Sequence, residues 1–178
     1  TRIHLARALT LAGRAEEACG IFTELSIHEG APPKYLLWQA EACAGAGKLK
    51  EAMDAMTACV QREPPKEETI QAFLRIFNEA KNFQRAEEIL TQLHEYMPES
   101  AYVCTALCRM RLAMGNSVEA FGVVEDYLDR NPYDLKTWDQ YIRLTLGSGH
   151  FDKAQQGALQ AGKLDPFWLQ QFLLTIRL

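Results

Sequence analysis

The sequence predicts an all-α solenoid of about five helical hairpins, each 34 residues long, with a partial sixth at the end. Three observations support this prediction: a constant period along the chain, alanine at one position of every period, and turn-forming or helix-breaking residues at two other positions. A period between about 20 and 50 residues is typical of repeat proteins, in which each hairpin buries its apolar face only against its neighbours.

Stepping through the chain by one period at a time gives three regular columns. The first column contains only alanine: Ala18, Ala52, Ala86, Ala120 and Ala154. The second marks the break between blocks: Gly30, Pro64, Pro98, Pro132 and Pro166. The third marks the turn inside each block: Gly13, Gly47, Lys81, Gly115 and Gly149. Alanine fits where two helices approach most closely, glycine permits a tight turn, and proline cannot continue the helix that it follows.

The period divides the chain, interpreted as one repeat domain, into the blocks 1–32, 33–66, 67–100, 101–134 and 135–168 and a partial block 169–178. Bulky residues are expected to fill the space between adjacent helices: Phe22, Met56, Leu90 and Val124. In the third block the turn glycine is replaced by Lys81 and Asn82. Because asparagine tolerates the left-handed conformation, we expect Asn82 to make this turn.

The end of the chain is apolar, although solenoids usually finish with a polar capping helix. Its apolar residues are Trp168, Leu169, Phe172, Leu173, Leu174, and Ile176. The favoured interpretation is a fragment of a longer array. Two alternatives stay open: the last helix closes the array by packing inward, or it forms a self-association contact around Phe172.

The period and the three columns resemble the tetratricopeptide repeat, and the resemblance covers nearly the whole chain. It implies a right-handed α-α superhelical solenoid and a binding scaffold without catalytic activity. The match is incomplete on the first helix of each block. Trp138 alone supplies the aromatic residue expected at the first family position, and Arg111 and Thr145 depart from the pattern at the last.

The composition excludes several classes of function. The net charge of −4 does not favour nucleic acid or an acidic membrane surface as a partner. The apolar runs are far shorter than the ~20 residues that a bilayer span needs, so we expect no membrane insertion. Five cysteines fall inside predicted helices: Cys19, Cys43, Cys59, Cys104 and Cys108. They are interpreted as buried thiols, which favours the cytoplasm or another reducing compartment.

No motif in the sequence indicates catalysis, a cofactor or a metal site. The glycine-rich phosphate-binding loops are missing. The four histidines lie in different blocks and columns: His4, His28, His94 and His150. Cys104 and Cys108 are one helical turn apart, but they occupy columns that hold packing residues in other blocks. The sequence therefore predicts a protein that is not an enzyme.

One polar column suggests a binding surface. It contains Arg7, Glu41, Arg75, Arg109, Arg143 and Arg177. In the proteins that this chain resembles, this position faces the concave groove in which ligand peptides lie. Arginine presents a planar set of donors suited to carboxylate or phosphate. The hypothesis is an acidic, extended or helical segment bound by Arg75, Arg109 and Arg143, with Gln71, Asn78, Tyr102 and Lys136 as companions.

Two alternative interpretations of this arginine column stay open. The arginines can be a shared inheritance of the repeats, or they can pair within the protein with acidic residues near the same surface. The acidic candidates are Glu41, Glu68, Glu79 and Asp139. Exposed pairs of this kind contribute only ~0–1 kcal/mol to stability.

The leading functional prediction is a scaffold that recruits a partner protein. The alternative is a recruiting segment of a larger enzyme or of a secretion or assembly complex. A helical-repeat RNA binder is less favoured, because such proteins are generally basic and this chain has a net charge of −4.

Overall fold

A computed structural model describes the backbone of residues 1–28 and 30–175, and the side chains of all of these except 171, 174 and 175. In this part of the chain it has eleven α-helices and no β-strand. They are α1 (Arg2–Leu11), α2 (Ala15–Ile27), α3 (Pro33–Gly45), α4 (Leu49–Arg62), α5 (Glu67–Glu79), α6 (Phe83–Tyr96), α7 (Ala101–Ala113), α8 (Ser117–Arg130), α9 (Leu135–Gly147), α10 (Phe151–Leu164) and α11 (Pro166–Thr175). None of these helices combines the length and hydropathy that a bilayer span requires.

The chain divides into two compact units, Thr1–Ala86 (unit 1) and Glu87–Leu178 (unit 2), and α6 runs through the division. In unit 1, α1 and α2 form one hairpin and α3 and α4 the next; α3 also packs against α2 and α5. In unit 2, α7 and α8 form a hairpin, as do α9 and α10. Helix α9 also packs against α7 and α8, and α11 packs against α10. The division into blocks remains a prediction, and α11 crosses the predicted boundary between residues 168 and 169.

The packing columns predicted from the sequence are buried. The five alanines of the first column are each 3% exposed or less. The bulky residues Phe22, Met56, Leu90 and Val124 are each 1% exposed or less. Alanine recurs because no larger side chain fits at this contact without a clash, and the bulky residues fill the remaining space.

The turn column adopts the left-handed backbone conformation in all five blocks. The φ angles are positive at Gly13, Gly47, Lys81, Gly115 and Gly149. The prediction that Asn82 makes the third turn is therefore wrong, since Lys81 has the positive φ, at 52°. Asn82 instead lies at the start of α6, where its Oδ1 accepts a hydrogen bond from the Arg85 backbone N–H at 3.4 Å. The position in the repeat determines the conformation, although it costs a residue with a side chain roughly 1–2 kcal/mol.

The expectation that all five cysteines are thiols is wrong for two of them. Cys19 on α2 and Cys43 on α3 form a disulfide, with their Cα atoms 5.0 Å apart. The packing of α2 against α3 brings these positions together, although they are 24 residues apart and lie in different columns. Cys59, Cys104 and Cys108 are free and buried. The reducing compartment stays a prediction, and it loses part of its basis.

The last described helix packs inward. Phe172 is 3% exposed and stacks on Trp168 with the ring centroids 5.1 Å apart. A Cβ atom on Gly162 of α10 would lie 2.4 Å from a Leu169 methyl group, so glycine permits the close approach of α11. Phe167 and Leu173 remain exposed, while the side chain of Leu174 and the whole of Ile176 lie outside the described residues. The fragment and the self-association contact around Phe172 stay predictions.

Candidate functional site

In unit 1 the predicted binding residues of α5 share one exposed face. Gln71, Arg75 and Asn78 are spaced by one helical turn, and all three are exposed. Arg75 Nη2 donates a hydrogen bond to Glu41 Oε1 on α3 at 2.9 Å, and Gln71 Nε2 donates to Glu67 Oε1 at 3.4 Å. Because Glu41 and Arg75 occupy the same position in consecutive blocks, this ion pair connects the first helices of two hairpins.

In unit 2 two arginines of the same column lie on the neighbouring helices α7 and α9. Arg143 Nε and Nη2 donate to the two carboxylate oxygens of Asp139 at 2.9 and 3.1 Å, and these hydrogen bonds raise the pKa of Arg143. Arg109 is exposed, and it forms no ion pair with any of the described residues. Arg177 lies outside the described residues.

Two of the intramolecular pairs considered as alternatives are therefore present. Glu41 binds Arg75 and Asp139 binds Arg143, and the side chains of both arginines are about half exposed or more, at 63% and 49%. Exposed ion pairs contribute only ~0–1 kcal/mol to stability, so a partner's carboxylate can replace them at little cost. Ligand binding by these arginines stays a prediction.

The two other companion residues lie apart from the α5 face. Tyr102, in the first turn of α7, lines a cavity of about 620 Å³ together with Tyr96 and Tyr127. Lys136 is exposed in the first turn of α9. Tyr102 and Lys136 therefore belong to unit 2 and do not extend the exposed face of α5.

The sequence reasoning missed a pocket around Trp38 in unit 1. The Arg7 guanidinium carbon lies 5.0 Å from the centroid of the Trp38 ring, and Lys34 Nζ lies 5.6 Å from it. Tyr35 stacks on the same indole with the ring centroids 5.8 Å apart. A cation over an indole ring is attracted by the negative face of the ring. These contacts hold two positive charges beside an aromatic surface.

This Trp38 pocket has a volume of about 180 Å³. Its lining residues are Arg7, Thr10, Leu11, Phe22, Trp38 and Glu41. Phe22 is buried and forms the apolar floor with Trp38, while Leu11 is 89% exposed. The disulfide between Cys19 and Cys43 joins α2 and α3, the two helices that supply this floor.

The sequence contained a partial signal for the Trp38 pocket. Arg7 belongs to the arginine column, and block two carries Tyr35 and Trp38 within one turn of helix. Thr10 and Leu11 carry no comparable signal, because only the packing of α1 brings them beside α2 and α3.

The free thiols are poorly suited to nucleophilic chemistry. Burial raises the pKa of Cys59 and of Cys104 to about 11, and that of Cys108 to about 12. Cys104 Sγ lies 3.5 Å from His94 Nδ1, and burial lowers the pKa of this histidine. Both groups are therefore neutral near pH 7, whereas a reactive cysteine needs its thiolate. The described residues contain no cluster of His, Cys, Asp or Glu that could hold a metal ion.

A network of charged and polar groups joins the helices of unit 2. Glu125 on α8 accepts hydrogen bonds from Tyr141 on α9 and, at 2.5 Å, from Lys153 on α10. Burial pushes the Glu125 pKa upward, but these two hydrogen bonds and the Lys153 charge outweigh it, so the pKa is lowered. Burial and the hydrogen bond to Glu125 raise the pKa of Tyr141.

A second carboxylate, that of Asp134, caps the start of α9. Asp134 accepts hydrogen bonds from the Thr137 backbone N–H at 3.1 Å, from the Thr137 hydroxyl at 2.6 Å and from Tyr127 Oη at 3.0 Å. Burial raises the Asp134 pKa, and these hydrogen bonds more than offset it, so the pKa is lowered. The pKa of Tyr127 is raised to about 12 by burial and by its bond to Asp134. These networks are structural, since each group is already bonded to another.

Solved structures with the same fold identify its class. The chain is similar to the TPR-like repeats of a putative kinesin light chain from Podosopora anserina, with a TM-score of 0.66 and 17% identity over 99% of this chain and 96% of that chain. It is similar to MamA from Desulfovibrio magneticus RS-1, with a TM-score of 0.60 and 15% identity over 99% and 96% of the two chains. A thermophilic TPR protein from Thermus thermophilus has a TM-score of 0.56 and 16% identity over 99% and 98%.

The chain therefore has the tetratricopeptide-repeat fold, and the fold class predicted from the sequence is confirmed. No protein-family model and no curated protein matches the chain. At 15–17% identity these structural likenesses establish the fold.

Proposed function

We propose that this chain is a non-catalytic scaffold that binds an acidic segment of a partner protein, extended or helical, on the first helices of its hairpins. One observation carries the proposal. The Arg7 guanidinium lies beside the Trp38 pocket and forms no ion pair with any described carboxylate. A cation without an acidic partner, next to an apolar pocket, favours a ligand that has both an acidic group and an apolar one.

The charges around the pocket favour an anionic ligand. Arg7, Lys34 and Arg75 lie near Trp38 or its neighbour Glu41. Among the described residues, Glu41 is the one carboxylate that lines the pocket. A carboxylate of the partner can accept two parallel hydrogen bonds from the Arg7 guanidinium. An adjacent apolar side chain of the partner would then enter the pocket against Trp38.

The arginines predicted from the sequence extend this proposal. Arg75 and Arg143 hold their carboxylates in exposed pairs that a ligand can replace, and Arg109 is exposed without an ion pair among the described residues. In this proposal Arg75 acts with Gln71 and Asn78 on α5. Arg109 and Arg143 act in unit 2, with Tyr102 and Lys136 as nearby companions.

A selection with random peptides displayed on phage tests the proposal. We expect the selected peptides to be enriched in Asp and Glu next to large apolar residues. A fluorescently labelled consensus peptide should bind Arg7→Gln at least about five-fold more weakly than the wild type, because a charge-assisted contact is lost. The matched control is Arg2→Gln on the same helix, since Arg2 pairs with Glu24 and does not line the pocket.

Either of two outcomes would contradict the proposal. The first is a selected pool without acidic enrichment. The second is equal binding by the Arg7→Gln variant and the wild type. Circular dichroism of both variants checks that the helices are intact, so that a loss of binding can be assigned to the site.

A further inference from the structure

Unit 2 contains a groove that the proposed function does not use. Residues of α8 and α10 form its two walls, and residues of α9 form its floor. It consists of two adjoining cavities of about 370 and 260 Å³. Asp129, Trp138 and Gln160 line both cavities. We propose that this Trp138 groove binds a short extended segment of a partner protein that carries an arginine.

Helix α10 packs closely against α9 beside the groove because it has a glycine at this contact. A Cβ atom on Gly157 would lie 3.1 Å from the Tyr141 ring. The same repeat position in α8 and α6 holds Val123 and Ile89, which do carry side chains. The Trp138 indole is fixed at the floor, because its Nε1–H donates a hydrogen bond to the Pro132 carbonyl at 2.8 Å. The indole therefore holds a fixed position in the lining of the groove.

The charge at the groove favours a cation at its α8 side. Asp129 is exposed and forms no ion pair within the described part of the chain. Glu125, on the same wall, is already bound by Lys153 and Tyr141. Asp129 is therefore the carboxylate that is available to a ligand.

An arginine fits this end of the groove better than a lysine. A guanidinium is planar, so it can stack on the Trp138 indole while it donates hydrogen bonds to the Asp129 carboxylate. Lys163, on the α10 wall, donates to Gln160 Oε1 at 3.4 Å. The positive charge of Lys163 repels the ligand's cation, which is therefore expected on the Asp129 side of the groove.

The α10 wall carries groups suited to a peptide backbone. Gln156 and Gln160 both line the groove and are one helical turn apart, about 6 Å along the axis. Alternate residues of an extended chain are about 6.6 Å apart, so the two amides can meet successive peptide groups that face the same way. Each amide offers both a donor and an acceptor. From Gln156 to Lys163 the wall is about 10 Å long, which accommodates roughly three extended residues.

Nuclear magnetic resonance can test the groove with defined probes. The chain has three tryptophans, so the ¹⁵N-labelled protein has three indole N–H signals, and Trp138→Phe assigns one of them. We titrate the protein with acetyl-Gly-Arg-Gly-amide and, separately, with acetyl-Gly-Glu-Gly-amide. We expect a saturable shift of the Trp138 indole signal with the arginine peptide alone, and no matching shift of the Trp38 and Trp168 signals.

Two variants on α8 make the test specific. Asp129→Asn should weaken binding of the arginine peptide roughly tenfold, because it removes the charged acceptor. Asp126→Asn is the matched control, since Asp126 is exposed on the same helix and does not line the groove. The proposal is overturned by a Trp138 shift that does not saturate, by equal shifts with both peptides, or by equal effects of the two variants.

Discussion

Two junctions between hairpins occupy the same place in the repeat but are held by different chemistry. The first lies between α2 and α3 in unit 1, and the second between α8 and α9 in unit 2. Thr23 and Gln39 of the first junction correspond to Glu125 and Tyr141 of the second, three periods later in the sequence. The first pair is neutral, whereas the second contains a carboxylate.

The α2–α3 junction combines a covalent bond with neutral hydrogen bonds. The disulfide joins Cys19 to Cys43. Gln39 accepts a hydrogen bond from Ser26 Oγ at 2.6 Å and donates one to Thr23 Oγ1 at 3.1 Å. None of these groups changes charge between pH 3 and pH 7, so the stability of this junction should depend on redox conditions and little on pH.

The α8–α9 junction shows the opposite dependence. Phe121 and Thr145 stand where the first junction has its two cysteines, so no disulfide can form there. Glu125 and Asp134 supply the cross-helix hydrogen bonds, and both have lowered pKa values. One repeat geometry therefore tolerates either a covalent or an ionic connection at this place. The choice determines the conditions to which each unit responds.

The largest expected effect follows from removal of the disulfide. The double variant Cys19→Ala/Cys43→Ala should lose about 3 kcal/mol of unfolding free energy, because a cross-link over some 24 residues restricts the unfolded chain. Urea unfolding measures this loss. A reductant should destabilise the wild type similarly and leave the double variant unchanged. An equal response of both proteins to the reductant would remove the basis of the comparison.

A smaller effect is expected from the Tyr141 hydroxyl. Tyr141→Phe removes a hydrogen bond to the Glu125 carboxylate and should cost about 1.5 kcal/mol. The matched change in unit 1 is Gln39→Leu, for which we expect about 0.5 kcal/mol. It is smaller because Thr23 keeps its bond to the Cys19 carbonyl, and the single Ser26 hydroxyl hydrogen can turn to the Thr23 carbonyl when Gln39 is replaced. Urea unfolding of both variants checks the order, and a larger loss for Gln39→Leu would reverse the conclusion.

The helix starts of unit 2 sharpen the comparison further. Asp134 caps α9, and Asp134→Ala should cost about 1 kcal/mol. Ser100, one period earlier, is buried, and its Oγ has no hydrogen-bond partner among the described residues. One period earlier, Leu93 and Val103 occupy the positions of Tyr127 and Thr137, the two residues that donate hydrogen bonds to Asp134, so Ser100 lacks these partners. Ser100→Ala should therefore be neutral or slightly stabilising, and thermal unfolding of the two variants compares them.

The smallest expected effect is a pH dependence of unit 2. The folded pKa values of Glu125 and Asp134 lie below their unfolded values. Their contribution to stability is therefore fully present above about pH 4.5 and is lost as the pH falls through the folded pKa values. Because both side chains are partly exposed, we expect under about 1 kcal/mol for each.

The matching measurement is urea unfolding between pH 7 and pH 3. The variant Glu125→Gln/Asp134→Asn should show a flatter pH profile than the wild type. The Gln39→Leu variant, altered at the neutral junction, should keep the wild-type slope. If the double variant loses stability in acid as steeply as the wild type, other carboxylates are responsible.

Much of the fold could be predicted, because the recurring residues report local requirements. The alanine column marks the closest helix contacts, and all five alanines are buried. The turn column was predicted in position but not in the residue that makes the third turn. Lys81 adopts the left-handed conformation because the three-residue turn between α5 and α6 requires it at that position, whatever the side chain.

The candidate site was predictable only in part. The column identified exposed arginines, including Arg75, Arg109 and Arg143, but it could not show which of them carry acidic partners. Glu41 reaches Arg75 because α3 and α5 are adjacent, and Asp139 reaches Arg143 within one turn of α9. The Trp38 pocket needs side chains of α1, α2 and α3 at once, and no spacing within one helix encodes that meeting.

The sequence by itself determined the helices, the period and the turn positions, because these follow from steric requirements that recur in every hairpin. The tertiary structure alone decided which side chains meet across helices. The Cys19–Cys43 disulfide, the Arg75–Glu41 pair and the Trp138 groove all join residues from different helices. Such contacts depend on the rotation and spacing of packed helices. Neighbouring hairpins share a similar rotation and spacing, but each hairpin places different side chains at the contacts.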